Sequence, residues 1–164
     1  MRYGRQTPTV SVILGYEQSL GSEAVDLYKR TGLRPYPWQE QMVEDLFAVN
    51  EEGLWTHSKF GYAIPRRNGK TEVVYMAELW GLFHGLNILH TAHRISMAHA
   101  SFEKLKRYLE KMGLVDKEHF NSIKAKGQER LELLESGGVI QFRTRTSTGG
   151  LGEGFDGPVH RQDL

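Results

Sequence analysis

The sequence contains no cysteine. Disulfides and thiolate metal sites are thereby excluded, along with the cross-linked scaffolds common among small secreted domains. Seven histidines, among them His90, His93 and His99, are scattered without the spacing of a metal-ligand set. Long apolar runs are missing too. The most apolar segment, residues 73–83, is broken by Glu78 and Gly81, well short of the roughly 20 apolar residues of a membrane-spanning helix. The N-terminus lacks the basic-then-apolar order of a signal peptide, so a cytoplasmic protein with no membrane contact is expected. Charge of one sign is not in excess, since 21 Lys and Arg face 20 Asp and Glu for a net +1. Any polyanionic partner would have to meet a local patch. What remains is a chain of one-domain size: 164 residues, 39% hydrophobic and 25% charged, enough for a single core.

Prolines number five, and one of them opens the stretch around which the chain is organised. Ile64-Pro65-Arg66-Arg67-Asn68-Gly69-Lys70-Thr71 has the form of a phosphate-binding loop. The general pattern is G-x-x-x-x-G-K-[ST], in which backbone N–H groups cradle phosphates, the Lys reaches the β- and γ-phosphates and the hydroxyl ligates Mg²⁺. Gly69, Lys70 and Thr71 fit, whereas Ile64 stands in place of the first glycine. Gly-Lys-Thr by itself serves equally to end a turn and begin a helix. Context favours the loop. Residues 55–64 are rich in aromatic and β-branched side chains and are predicted as a strand, and residues 72–84 are apolar on nearly every face, as in a helix buried beside a sheet. The helix N-terminus points its free N–H groups and positive dipole end at the loop. Arg66 and Arg67 are either surface charges or, within such a loop, groups able to reach a transferring phosphoryl.

In chain order, residues 11–16 are predicted as a strand and 22–29 as a short helix. Leu33-Arg34-Pro35-Tyr36-Pro37 is stiff and non-helical, because each proline also restricts the residue before it. A helix over 38–49 follows from Trp38, Met42, Leu46 and Val49 at spacings of four, four and three. Gln39 lies in its first turn, where the Pro-Trp-Gln lead-in is either a helix packed by its Trp or a clamp whose amide recognises the edge of adenine. Residues 87–92 are predicted as a second strand. Ala98, Phe102, Leu105, Leu109 and Met112 form the stripe of the next helix, and Gly113 sits at its C-cap. Residues 116–120 are expected to add one turn. Strands are expected at 122–125, 130–134 and 139–143, the last two joined through Ser136-Gly137-Gly138 as a hairpin. The loop from Arg143 to Asp156 holds four glycines. It is either a mobile connection or a backbone that must approach a nucleotide, a neighbouring subunit or DNA.

Taken together these motifs resemble the large terminase subunit of tailed bacteriophages, the ATPase that drives DNA into the procapsid, and in particular its N-terminal ATPase portion. The resemblance runs from about Thr7 to Asp156. It rests on Pro37-Trp38-Gln39, on Pro65 to Thr71 with the first-glycine departure included, on His90-Thr91-Ala92-His93-Arg94, and on Phe142-Arg143-Thr144-Arg145-Thr146-Ser147 followed by Gly-Leu-Gly-Glu-Gly-Phe-Asp. It implies an α/β fold with a P-loop NTPase-like sheet and flanking helices, with ATP and Mg²⁺ as cofactors. By the same resemblance Lys70 contacts phosphate, Thr71 holds the metal, Arg66 is the catalytic arginine in cis, and Gln39 reads adenine. Pro65, Arg67, Asn68 and Gly69 complete the nucleotide loop. The partners implied are viral double-stranded DNA, the portal protein, the small terminase subunit and other large-subunit copies, in the cytoplasm of a bacterial host.

After Gly-Phe-Asp the family continues into an apolar strand ending in Asp-Glu. Here the chain reads Gly157-Pro158-Val159-His160-Arg161-Gln162-Asp163-Leu164. A proline and a polar run do not make a buried strand. The expectation is therefore a partial ATPase domain over 1–156, a divergent tail over 157–164 and no nuclease domain. Without the acidic pair, ATP hydrolysis by this chain is expected to be slow, since a missing general base alone costs about 10²–10⁴-fold. A catalytically inactive binding or interfering module, the remnant of a split or decayed prophage terminase gene, and a fragment of a generic P-loop helicase are the competing readings.

Overall fold

The computed structural model describes residues 4–125 and 128–145. Its elements, in order, are β1 (Gln18–Ser19), α1 (Gly21–Lys29), α2 (Pro37–Leu46), β2 (Ala48–Val49), α3 (Lys70–Phe83), β3 (Asn87–Ala92), α4 (Ile95–Lys111), β4 (Phe120–Ile123), β5 (Glu129–Leu133) and β6 (Val139–Thr144). The chain is mixed α/β. β1 and β2 form a small antiparallel pair, and the other four strands form a mixed sheet in the order β3-β6-β5-β4. β3 and β6 run parallel, from Asn87↔Val139 to Ala92↔Thr144, and the remaining two pairings are antiparallel.

Apolar periodicity places the long helices. In α4 the stripe of Ala98, Phe102, Leu105 and Leu109 is buried, and Met112 packs against the same core. Gly113 then turns left-handed at φ +89°, and the N–H of Leu114 donates to the Leu109 carbonyl at 3.1 Å, closing the helix end. α3 is buried nearly all round, through Val73, Val74, Tyr75, Met76, Leu79, Trp80 and Leu82. α1 and α2 pack on it. At its far end the β5–β6 turn comes in backbone to backbone. A Cβ on Gly138 would stand 2.0 Å from the Leu82 carbonyl oxygen, so only glycine fits there. Ser136 Oγ donates to that carbonyl at 2.6 Å, satisfying one of the acceptors that every helix C-terminus leaves free.

The sheet buries one face. Ile140 and Phe142 on β6, Leu131 and Leu133 on β5, and Phe120 on β4 are all in the core. α4 reaches this face through Phe102, whose ring meets Phe142 edge to face at 5.6 Å. α3 reaches it through Glu78, which pairs with His90 Nδ1 at 2.5 Å, and His90 lies opposite Phe142 in the parallel register. The alternate positions carry polar pairs, Arg130 with Glu132 and Arg143 with Gln141.

Five of the expected elements change. Residues 56–64 form no strand, and Trp55 makes only an isolated bridge with Val49. The aromatic side chains that suggested a strand plug against helices: the Trp55 ring packs edge-on to Phe47 and Trp80, and the Tyr62 hydroxyl reaches α3. Residues 11–16 form no strand either, and Val10, Val12 and Leu14 are 81%, 91% and 61% exposed. The helix expected to run to Val49 stops at Leu46, because the chain is diverted into pairing, with the Phe47 carbonyl accepting from Leu20 N–H and the Ala48 carbonyl from Thr56 N–H. Its buried face is Gln39, Val43 and Leu46, with Trp38 and Met42 at the flank. Residues 117–119 are a turn instead of a helical one, with Lys117 at φ +70°, and the strand expected at 122–125 begins earlier, where Phe120 can enter the core.

The Glu78–His90 pair makes stability depend on pH. Burial alone would lower the imidazole pKa, but the carboxylate at Nδ1, by charge and hydrogen bond, leaves it raised. A raised folded-state value means the contribution is complete below the ordinary histidine pKa of about 6.5 and is lost as pH rises through the folded value. Tyr62 and Tyr75, which also face Glu78, are pushed up by burial first and stay neutral throughout. The thermal midpoint is expected to fall as pH is raised from about 6 to about 9, and Glu78→Gln should flatten that slope. Equal slopes in the two proteins would contradict this.

Candidate functional site

The fold brings the loop of residues 65–71 to one end of the sheet. α3, of 14 residues, and β3, of 6, span about 21 Å and about 20 Å and are joined by a short reversal, so the start of α3 returns beside the end of β3. Because β3 and β6 are parallel, their carboxyl ends, Ala92 and Thr144, are neighbours there, and Arg145 N–H donates to the Ala92 carbonyl at 2.9 Å. In open α/β sheets, ligands bind beyond the carboxyl ends of such strands.

Within the loop, Arg67 and Gly69 both lie in the left-handed region, at φ +65° and +76°, on either side of Asn68. The Asn68 amide donates to the Pro65 and Arg66 carbonyls at 3.1 and 3.3 Å, closing the turn. Two further carbonyls are held from outside the loop. Gln39 Nε2 donates to the Gly69 carbonyl at 2.8 Å, and the Tyr62 hydroxyl to the Lys70 carbonyl at 2.8 Å. Every described peptide bond is trans, so fixing these carbonyls aims the N–H groups of Lys70 and Thr71 the opposite way, off the helix N-terminus. Pro65, Arg66 and Arg67 are exposed, and Lys70 and Thr71 are half-buried. Among the described residues, none of the side chains of Arg66, Arg67, Lys70 and Thr71 is engaged in a hydrogen bond or ion pair. The arrangement is a cationic loop with backbone donors at a helix N-terminus, suited to a phosphate-like anion.

Two residues that sequence reasoning missed hold this loop. Tyr62 lay in a segment expected to be a strand, and no spacing rule ties it to the Lys70 carbonyl. Glu72, next after Thr71, accepts from the hydroxyls of Tyr28 on α1 and Tyr108 on α4 at 2.6 and 2.7 Å, with Lys104 Nζ 4.0 Å from its other oxygen. Burial first, and then Glu72, pushes both tyrosines well above the usual phenol range, so they remain donors. An acid in the first turn of a helix was the available signal, though it pointed to the dipole and not to the tyrosines.

Of the other singled-out residues, His90 is buried in its pair with Glu78, whereas His93 and Arg94 are exposed between β3 and α4. Gln39 is 2% exposed. The glycine-rich loop from Thr146 onward and the tail 157–164 lie outside the described residues. The described residues contain no group of three or more His, Asp or Glu able to hold a metal ion, so Thr71 remains the single position assigned to one. No protein-family model, curated protein or solved structure matches the chain.

The left-handed turn at Gly69 is sterically specific. A Cβ there would meet the strained φ and stand 3.0 Å from Gln39 Nε2, which is itself anchored to the Gly69 carbonyl. Gly69→Ala should therefore lower unfolding free energy by about 1–2 kcal/mol, seen as a lower denaturant midpoint at unchanged slope. A midpoint equal to that of the wild type would remove this constraint from the account.

Proposed function

We propose that the chain binds ATP with Mg²⁺ through the loop of residues 65–71 and is the nucleotide-binding segment of a DNA-packaging ATPase of the terminase large-subunit type. The observation that carries the nucleotide reading is the Gly69-Lys70-Thr71 turn, left-handed at the glycine, opening α3 beside the carboxyl ends of β3 and β6. Lys70 then neutralises β- and γ-phosphate charge, and the N–H groups of Lys70 and Thr71 donate to phosphate oxygens. Arg66, exposed at the loop, would meet charge developing on a transferring phosphoryl, and Arg67 would add to the field. The Thr71 hydroxyl would hold Mg²⁺ from this chain, and the ion would supply neutralisation of phosphate charge.

The P-loop NTPase-like fold is part of the proposal. It is supported by the parallel β3–β6 pair and the buried loop helix, while the segment leading into the loop departs from the strand that such folds place there. The terminase assignment rests on the motif order in the sequence. It carries with it viral double-stranded DNA, the portal protein, the small subunit and further large-subunit copies as partners, in the host cytoplasm. Among the described residues no helix is long and apolar enough to cross a membrane.

Lys70→Ala removes a charge-assisted contact of about 1.5–3 kcal/mol, so ATP affinity measured by calorimetry should fall roughly ten- to a hundredfold. Equal affinity in the two proteins would place the nucleotide elsewhere or nowhere.

A further inference from the structure

Each polar atom of the Gln39 amide is engaged by backbone. Its Oε1 accepts from Tyr36 N–H at 2.7 Å, and its Nε2 donates to the Gly69 carbonyl at 2.8 Å. The orientation is dictated by the partners, because a flipped amide would set oxygen against carbonyl and NH₂ against N–H. The two bonds span 30 residues of sequence on one side and three on the other. They link the stiff Tyr36-Pro37 lead-in of α2 directly to the left-handed glycine of the loop. A base-reading amide needs both of its polar atoms free to face the base, as in the two-bond pairing of Gln with adenine N6 and N7. At 2% exposure Gln39 presents neither to solvent.

We infer that Gln39 is a positioning residue for the phosphate loop, holding the Gly69 carbonyl inward so that Lys70 N–H faces the anion, and that its effect on binding is independent of the base. The inference rests on the nucleotide-loop reading above and assigns Gln39 a different part from recognition of adenine. Loss of the Gln39 bond leaves the Gly69 carbonyl held only by Glu72 N–H, at 3.1 Å, and the donor array at the helix N-terminus is less firmly directed. A Glu at the same position has the same shape but sets a carboxylate oxygen against the carbonyl, which repels it.

The test compares Mg-ATP, Mg-GTP and tripolyphosphate, which has no base, as ligands of the wild type, Gln39→Met, Gln39→Glu and Lys70→Ala. Gln39→Met keeps the buried volume and removes both hydrogen bonds. The expected result is that Gln39→Met weakens all three ligands by the same factor, about tenfold, with Gln39→Glu weaker still. Loss confined to ATP, with tripolyphosphate unchanged, overturns the inference in favour of base reading. No loss for any ligand overturns it as well. Failure of the wild type to bind tripolyphosphate or nucleotide, or indifference of binding to Lys70→Ala, overturns the loop reading and the inference with it, and so is distinguishable from a failure of Gln39 alone. If the variants do not fold, the wild-type side-chain NH₂ resonances of Gln39 decide the matter. Equal shifts with ATP and tripolyphosphate support positioning, and shifts with ATP alone contradict it.

Discussion

One carboxylate fixes where α3 begins in space. Glu72 takes hydroxyl hydrogens from Tyr28 on α1 and Tyr108 on α4, so three helices meet at the first turn of the loop helix. Both rings are in the core, 5.7 Å apart and edge to face, so buried and well-fixed hydroxyls donate to the half-buried carboxylate. The geometry of residues 65–71 depends on this anchor, because a loop can direct its N–H groups only if the helix it opens onto does not rock. Gln39 and Tyr62 then act on the next carbonyls along, each from a different part of the chain.

The charge distribution follows from the same topology. A parallel pair sends two strands out at one end, and β3 and β6 each continue into basic sequence there: His93 and Arg94 after Ala92, and Arg143 and Arg145 around Thr144. With Arg66, Arg67 and Lys70 on the neighbouring loop, that end of the molecule concentrates cations in a chain whose total is only +1. Local placement, and not net charge, gives the site its field.

Long periodic segments were legible in the sequence. α3, α4, β3 and the β5–β6 hairpin come out within a few residues of where apolar spacing and glycine placed them, because each buries a face that its own pattern specifies. Residues 55–64 were not legible, since Trp55, Phe60 and Tyr62 suit a strand in isolation and only tertiary contacts with Phe47, Trp80 and Lys70 turn them into plugs. The end of α2 was hidden for a similar reason: Val49 continues the helical spacing, but β1 supplies a competing backbone partner. At the site, the loop residues were found from Gly69-Lys70-Thr71, whereas Tyr62, Glu72 and the backbone engagement of Gln39 depend on pairings 8, 36 and 30 residues apart. No short motif records contacts at such distances.

The central claim is that the first N–H groups of α3, aimed by the carbonyls behind them, form an anion site. It is tested most directly by following backbone amide resonances while Mg-ATP is added to the isotopically labelled chain. The account predicts saturable shifts that are largest at Gly69, Lys70 and Thr71. Shifts centred on another surface, or none at these three amides at saturating nucleotide, would contradict it.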